Sequence, residues 1–444
     1  MSPRNSIFSL LTSLCLLVAC TGAPVVTPTV APTTAPTATE MVATATVMPS
    51  PVPPTETASP VPPTDTPTIP APTFTPAPPE RLAFIARTST RGEPVNVFYT
   101  YLPGELKRFI TLINSDGSQP ETPFTRHDDV VPSLSVSPDG RTLVFHTYHI
   151  GPEGDSPVTT DFRTYFSNLG THSLTELKTP KNVIPDYFSW SPDSQRVAFV
   201  QNVESENNFP RIFIRDLNKQ LTSPLFPEVG TDIQNLYPSW SPDGQYIAFI
   251  QWQASGKTQS YPRNDTGTNQ GSLYIVRPDG TDLHLLVEPI YIEADLGEHY
   301  LHANYLAWSF DNKWIAYLVG STTSDIAIIN IETGEIRQLT NNLEKDLYPS
   351  WSPDGSNLVF FSKHDGNEEI YTVTSEGQNL KNLTAHAQND FMPVWSPSGQ
   401  RLAFLSDRDF TPRGHYQLFT MNADGSNIAK VSDAFVSDPP VWLP

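Results

Sequence analysis

His299 and His302, three residues apart in Glu298-His299-Tyr300-Leu301-His302 with Asp295 upstream, are the residues best spaced to hold a transition metal. A pair of loop histidines is also ordinary polar surface. A second set of residues recurs at fixed distances from tryptophan. Three residues before a Trp lie Tyr187, Tyr237, Tyr305 and Tyr348, with Met392 and Pro439 in the two remaining places. Four or five before it lie Asp186, Asn304, Asp346, Asp390 and Asp438, with Asn235 in the corresponding segment. If the segments superpose, they form an acidic ring beside an aromatic one. Such carboxylates can cap backbone N–H groups or line a mouth that takes a partner or cation, and one carboxylate has oxygens enough for both. Asp365-Gly366-Asn367-Glu368-Glu369 is acidic but lacks the spacing of a calcium-binding loop and reads as a solvated hairpin.

Catalytic motifs are missing from the chain. There is no G-x-S-x-G nucleophile elbow, no H-E-x-x-H helix and no glycine-rich phosphate loop. No catalytic residue and no cofactor is therefore assigned. The net charge of −20 at pH 7 repels nucleic acid, and no basic stripe offsets it.

The elements that position these residues come from a repeat. SVSPDGRTLVF from Ser135, SWSPDSQRVAF from Ser189, SWSPDGQYIAF from Ser239, AWSFDNKWIAY from Ala307, SWSPDGSNLVF from Ser350 and VWSPSGQRLAF from Val394 align on sight. Each reads as strand, tight turn, strand. Pro presets the turn's φ, Asp can bond its own backbone, and Gly takes φ > 0. The aliphatic-Ala/Val-aromatic triplet that follows suits a strand buried on both faces. A third strand and a second hairpin come next, as in Ile370–Val373 before Glu376-Gly377 and Gln417–Thr420 before Asp424-Gly425. Four antiparallel strands per unit predict the blades of a β-propeller. Six of the eight tryptophans (Trp190, Trp240, Trp308, Trp351, Trp395 and Trp442) fall at one repeat position, which predicts packing between neighbouring blades.

The pattern resembles the TolB-type, WD40-like β-propeller repeat over essentially all of 81–444. The resemblance implies a TolB-like role, in which a channel mouth or blade face docks a protein or peptide at the cell envelope. Oligogalacturonate lyases are similar in repeat type and use histidine ligands to a metal at a propeller face. A surface polysaccharide lyase or hydrolase with a metal at the mouth, held by His299 and His302, is therefore the alternative function. Prolyl-oligopeptidase-like enzymes also carry such propellers but add a hydrolase domain, which this chain is expected to lack. The chain finishes Val441-Trp442-Leu443, a first strand with no successor, and the folded region begins Arg81-Leu82-Ala83-Phe84-Ile85, a second strand with no predecessor. Joining them predicts an all-β, seven-bladed ring closed by pairing the C-terminal strand with the N-terminal blade. Six blades, as expected for TolB itself, is the alternative count.

Residues 1–19 read as a signal peptide, with Arg4 ahead of an apolar run from Ile7 to Ala19 too short to span a bilayer with polar flanks. Leu17-Val18-Ala19-Cys20 resembles the lipobox of bacterial lipoproteins, which implies cleavage before Cys20 and makes Cys20 the new, acylated N-terminus; an uncleaved anchor or an ordinary signal peptide is the alternative. Cys15 would be discarded, leaving no disulfide. Residues 20–80 form a spacer: 21–80 contain 17 Pro and 16 Thr and no Lys or Arg, a composition that favours extended, solvated chain. The expected molecule is a monomer held to a bacterial membrane through Cys20, outside the cytoplasm, facing the periplasm or the cell surface. Its expected partner is an envelope protein or peptide and not nucleic acid.

Overall fold

In the computed structural model the described residues are 80–89, 106–122, 129–149, 161–180, 183, 185–203, 210–227, 233–253, 270–291, 305–320, 323–409, 416–436 and 439–443. They form 28 strands and no helix. The chain opens with β1 (Arg81–Ser89) and β2 (Leu106–Asn114). The second blade is β3 (Asp129–Val136), β4 (Thr142–His149), β5 (Asp161–Asn168) and β6 (Leu174–Leu177), and the third β7 (Asp186–Trp190), β8 (Arg196–Asn202), β9 (Pro210–Asp216) and β10 (Leu221–Pro224). The fourth is β11 (Ile233–Trp240), β12 (Ile247–Gln253), β13 (Gln270–Val276) and β14 (His284–Tyr291), and the fifth β15 (Leu306–Trp308), β16 (Trp314–Val319), β17 (Asp325–Asn330) and β18 (Ile336–Gln338). The sixth is β19 (Asp346–Trp351), β20 (Asn357–Ser362), β21 (Glu369–Thr374) and β22 (Lys381–Asn382), and the seventh β23 (Asp390–Trp395), β24 (Arg401–Ser406), β25 (Gln417–Asn422) and β26 (Ala429–Lys430). Each of these six is an antiparallel meander in chain order.

The first blade takes its innermost strand from the other end of the chain. Two short segments, β27 (Phe435–Val436) and β28 (Val441–Leu443), both pair with β1, which pairs on its other side with β2. Leu443 lies opposite Arg81, Trp442 opposite Leu82 and Val441 opposite Ala83. The ring therefore has seven blades and closes as the sequence predicts, with no open edge in the wheel of blades.

The second strands explain the cohesion of each blade. Ala83, Val144, Ala198, Ala248, Ala316, Val359 and Ala403, one in each blade, are all fully buried. The aromatic residue that follows stacks on its ladder partner in the third strand: Phe199 on Phe213 (6.1 Å between ring centroids), Phe249 on Tyr274 (5.7 Å), Phe360 on Tyr371 (5.8 Å) and Phe404 on Phe419 (5.9 Å). Each such pair contributes about 0.5–1.5 kcal/mol beyond the area it buries.

The tryptophans join blade to blade. The indole N–H of Trp308 donates to the Ser239 carbonyl (3.0 Å), that of Trp351 to Ala307 (3.0 Å) and that of Trp442 to Val394 (3.1 Å). The acceptor in each case is the residue just before the neighbouring blade's own Trp, so one contact recurs at three blade junctions; Trp190 instead donates to the Ser135 hydroxyl (3.1 Å). Close backbone approach does the same at the periphery. Gly280 (φ 82°) and Gly425 (φ 88°) lie so near the carbonyls of Leu225 and Leu383 that an added Cβ would sit 2.6 and 2.7 Å from those oxygens. Only glycine meets both the left-handed turn and the contact.

Candidate binding cavity

Seven innermost strands surround one cavity of about 650 Å³. Its wall takes Ser135, Ser189, Ser239, Ala307, Ser350, Val394 and Val441 from the seven blades in turn. At one end of these strands, the first hairpin turns place Pro138, Pro353, Pro397 and Phe310 at the rim. Phe310 stands where the other turns have proline, and it is 55% exposed. At the other end the cavity narrows onto Tyr187, Tyr237, Tyr305 and Tyr348. Tyr305 and Tyr348 are buried, and Tyr187 and Tyr237 are half-buried.

A backbone irregularity points these tyrosines inward. The ladders between first and second strands shift register at Asp186/Ser189, Leu236/Ser239, Leu347/Ser350 and Phe391/Val394. Within each bulge sits a left-handed residue that is not glycine: Tyr187 (φ 55°), Tyr237 (φ 55°), Tyr348 (φ 64°) and Met392 (φ 54°). Such a conformation costs on the order of 1–3 kcal/mol per residue and persists only where the surroundings impose it. A bulge re-aims the side chain it carries, and here it turns three phenols toward the axis. Tyr187 meets Tyr237 edge-on (4.6 Å, 73°), and Tyr237 meets Tyr305 at 4.2 Å. Burial first, and then the neighbouring phenols of Tyr305 and Tyr187, push the Tyr237 hydroxyl well above its ordinary value. Tyr237 is therefore neutral at physiological pH and offers a ring face and a hydroxyl rather than charge.

The residues singled out from sequence are placed unevenly. The four tyrosines come together in one cluster region of the cavity, and Asp186 lines the cavity beside them while its Oδ1 accepts the Tyr187 backbone N–H (2.8 Å). Asn235 is buried and accepts the side-chain amide of Gln251 (3.1 Å). Asp346 and Asp390 are fully buried behind the wall, between blades. Arg408 Nη2 donates to both oxygens of Asp390 (2.9 and 2.7 Å). Asn304, Asp438, His299, His302 and Cys20 lie outside the described residues. Among the described residues no group of three or more His, Cys, Asp or Glu could hold a metal ion.

Behind the wall lie two further carboxylates: Asp325, which sequence reading does not single out, and Glu369, which it places in a solvated hairpin but which is buried because it opens a third strand. Asp325 and Glu369 open the third strands of the fifth and sixth blades, and both are buried. The Thr384 hydroxyl, the Asn367 amide (3.0 Å) and the His386 backbone N–H (2.6 Å) all donate to Glu369. Burial nevertheless pushes the Glu369 carboxyl up. A signal for this pair exists: a threonine follows each acid by fifteen positions, Thr340 after Asp325 and Thr384 after Glu369.

Comparison with known proteins agrees with this architecture. The TolB beta propeller domain family matches residues 306–440. Among solved structures, the β-propeller domain of the Trilobed protease from Pyrococcus furiosus is 13% identical, covers 81% of this chain and 96% of its own, and superposes with a TM-score of 0.54. That domain has an open velcro topology, whereas here β1 pairs with both C-terminal segments. An oligogalacturonate lyase in complex with manganese is 14% identical over 80% of this chain and 86% of its own, with a TM-score of 0.53. The putative TolB from Agrobacterium tumefaciens is 22% identical over 62% of this chain and 90% of its own, with a TM-score of 0.43. No curated protein sequence matches the chain. Blades five to seven thus carry the TolB-type repeat within a seven-bladed β-propeller.

Proposed function

We propose that the protein is an exported, lipid-anchored β-propeller that binds an extended peptide segment of an envelope protein in its central cavity, in a TolB-like manner and without catalysis. The lining of that cavity carries the reading. Phenols, prolines and serine hydroxyls surround it, and among the described residues Asp186 is the one charged residue in its lining. Tyrosine faces and prolines grip extended, proline-bearing chain, whose fixed φ leaves little entropy to lose on binding. Serine hydroxyls and the phenols supply hydrogen bonds to peptide groups. Residues 1–19 act as the export signal, Cys20 as the acylated anchor and 20–80 as the spacer that joins anchor to propeller.

Two measurements test this. Full-length protein is titrated against immobilised decapeptides that differ in charge and proline content. Neutral, proline-containing peptides are expected to bind, and Phe310→Asp to weaken them about tenfold, the equivalent of about 1.4 kcal/mol. Equal binding by strongly charged peptides, or affinity untouched by both Phe310→Asp and Tyr348→Ala, would refute it. In cells, labelled palmitate is expected in the wild type and absent from Cys20→Ser; label retained by that variant removes the anchor.

A further inference from the structure

One first-hairpin turn departs from the repeat. The other five carry proline in second place, but the fifth blade reads Ser309-Phe310-Asp311-Asn312. Elsewhere the turn glycine packs on the proline of the preceding blade: a Cβ on Gly244 would lie 3.0 Å from Pro192, and one on Gly399 3.3 Å from Pro353. Gly355 of the sixth blade has Phe310 as its counterpart in the preceding turn, and a Cβ there would meet nothing within 4 Å. Phe310 has instead swung to the mouth of the cavity, where it is 55% exposed. Asn312 keeps the left-handed backbone of the glycine it replaces (φ 63°), and its Oδ1 accepts the Asp243 N–H across the junction with blade four (2.8 Å).

At that junction runs a groove of about 640 Å³, on the same end of the blades as the cavity's open mouth. The turn that brings Phe310 to the mouth brings Asp311, Asn312 and Lys313 to the groove, and Trp308 lines both. Leu285 and Leu286 of β14 and Ile331 after β17 make its apolar surface. β14 is eight residues long, against two to four for the outermost strands of blades two, three, five, six and seven, so this wall is extended. Among the described residues, four of the seven exposed large apolar side chains, Leu283, Leu285, Phe310 and Ile336, stand on blades four and five, which concentrates uncovered apolar surface here. The charges are one-sided: Asp243, Asp311 and Glu332 against Lys313, with His284 held by Asp282 (2.8 Å). The groove between blades three and four is about 220 Å³ and mixes Arg196 and Lys219 with Asp216 and Asp279.

We propose that the peptide held in the cavity leaves it over Phe310 and that its next residues lie extended in the groove between blades four and five, which selects alternating apolar and basic side chains. The inference rests on the peptide reading of the cavity and adds the path and the sequence of the flanking segment. Successive side chains of an extended chain point to opposite sides. One set would cover Leu285, Leu286 and Ile331, and the other would meet the carboxylates of Asp243, Asp311 and Glu332. These carboxylates are exposed, so their pull on a basic side chain is screened by salt, whereas the apolar contact is not. Because one chain makes both contacts, the groove adds to the cavity as an intramolecular second site.

Full-length protein is titrated by calorimetry with a neutral, proline-containing decapeptide, plain or extended at either end by Leu-Lys-Leu-Lys, Leu-Glu-Leu-Glu or Gly-Ser-Gly-Ser. The Leu-Lys extension at one end is expected to tighten binding about tenfold. The Gly-Ser extension should change nothing, the Leu-Glu extension should gain less than Leu-Lys, and the Leu-Lys gain should shrink at high salt. Glu332→Lys combined with Leu285→Ser should erase the difference between Leu-Lys-extended and plain peptide. Leu380→Ser, which alters an equally exposed leucine on blade six, should preserve it. A plain peptide that binds but gains nothing from Leu-Lys at either end would overturn the groove and leave the cavity reading standing. So would an equal gain from all three extensions, or a gain that survives Glu332→Lys with Leu285→Ser. Extended peptide whose binding ignores both Phe310→Asp and Tyr348→Ala would remove the cavity reading, and the path over the mouth with it.

Discussion

Asp354 shows how one residue type acquires opposite roles in this protein. In the turn after β19, the Ser352 hydroxyl donates to Asp354 Oδ1 (2.6 Å), and that oxygen also accepts the Ser356 N–H (3.0 Å). Ser352 Oγ in turn accepts the Asn357 N–H (3.0 Å), closing the hairpin. The same hydroxyl–carboxylate contact recurs at Ser137–Asp139, Ser191–Asp193, Ser241–Asp243 and Ser309–Asp311. These donors favour the ionised form, and the Ser352 hydroxyl first, then the Ser356 N–H, hold the Asp354 carboxyl below its usual range. A carboxyl lowered by folding contributes stability that is complete above its unfolded value of about 3.9 and disappears as pH falls through its folded value. Urea unfolding of the wild type is therefore expected to lose stability below about pH 4. Asp354→Asn keeps an acceptor but no titration, so it should show a smaller acid loss; Asp354→Ala should cost about 1 kcal/mol at neutral pH. An Asn variant with an unaltered acid slope would exclude Asp354 as a contributor. Asp346 and Asp390, by contrast, sit where burial raises them. Their sequence neighbourhood is as polar as that of Asp354, so the difference was not legible. It arises because burial disfavours the ionised carboxyl at both sites, and at Asp390 it outweighs the opposing pull of Arg408, eighteen residues away in the chain.

At the scale of the strand, what the sequence shows best is whatever repeats for a packing reason. The Trp position, the aliphatic-Ala/Val-aromatic triplet and the Ser-Pro-Asp-Gly turn are each fixed by local chemistry copied from blade to blade, and each is found where expected. The bulge in the first strand is different. Tyrosine has no preference for left-handed backbone, and a Tyr-Pro pair such as Tyr237-Pro238 gives no sign that φ will be 55°. The register mismatch between first and second strands imposes it, and only a structure shows the mismatch. The inward turn of Tyr187, Tyr237 and Tyr348 follows from it. A ring of tyrosines was legible; their placement at the narrow end of a cavity whose rim is proline and Phe310 was not.

For the whole molecule, blade number depends on two ends that meet. Arg81–Ile85 reads as a second strand, and its missing neighbour is supplied by Val441–Leu443 some 360 residues later. A chain stopped after Val436 would keep β27 but lose β28, exposing the Leu82 and Ala83 side of β1, both now fully buried. It is expected to melt at a lower temperature and to form aggregates visible by light scattering, because an unpaired strand edge templates association. A truncated chain as stable and monodisperse as the full one would show that closure contributes nothing. β1 is also the strand that receives any pull on the chain ahead of Glu80, whose carbonyl accepts the Ser115 N–H (2.7 Å). It lies in the middle of its blade, antiparallel to β2 on one side and to β27 and β28 on the other. Tension would thus run along the strand and load both ladders in shear, all rungs at once, rather than peel them singly. The clasp that shuts the ring is thus also a joint that bears mechanical load in shear.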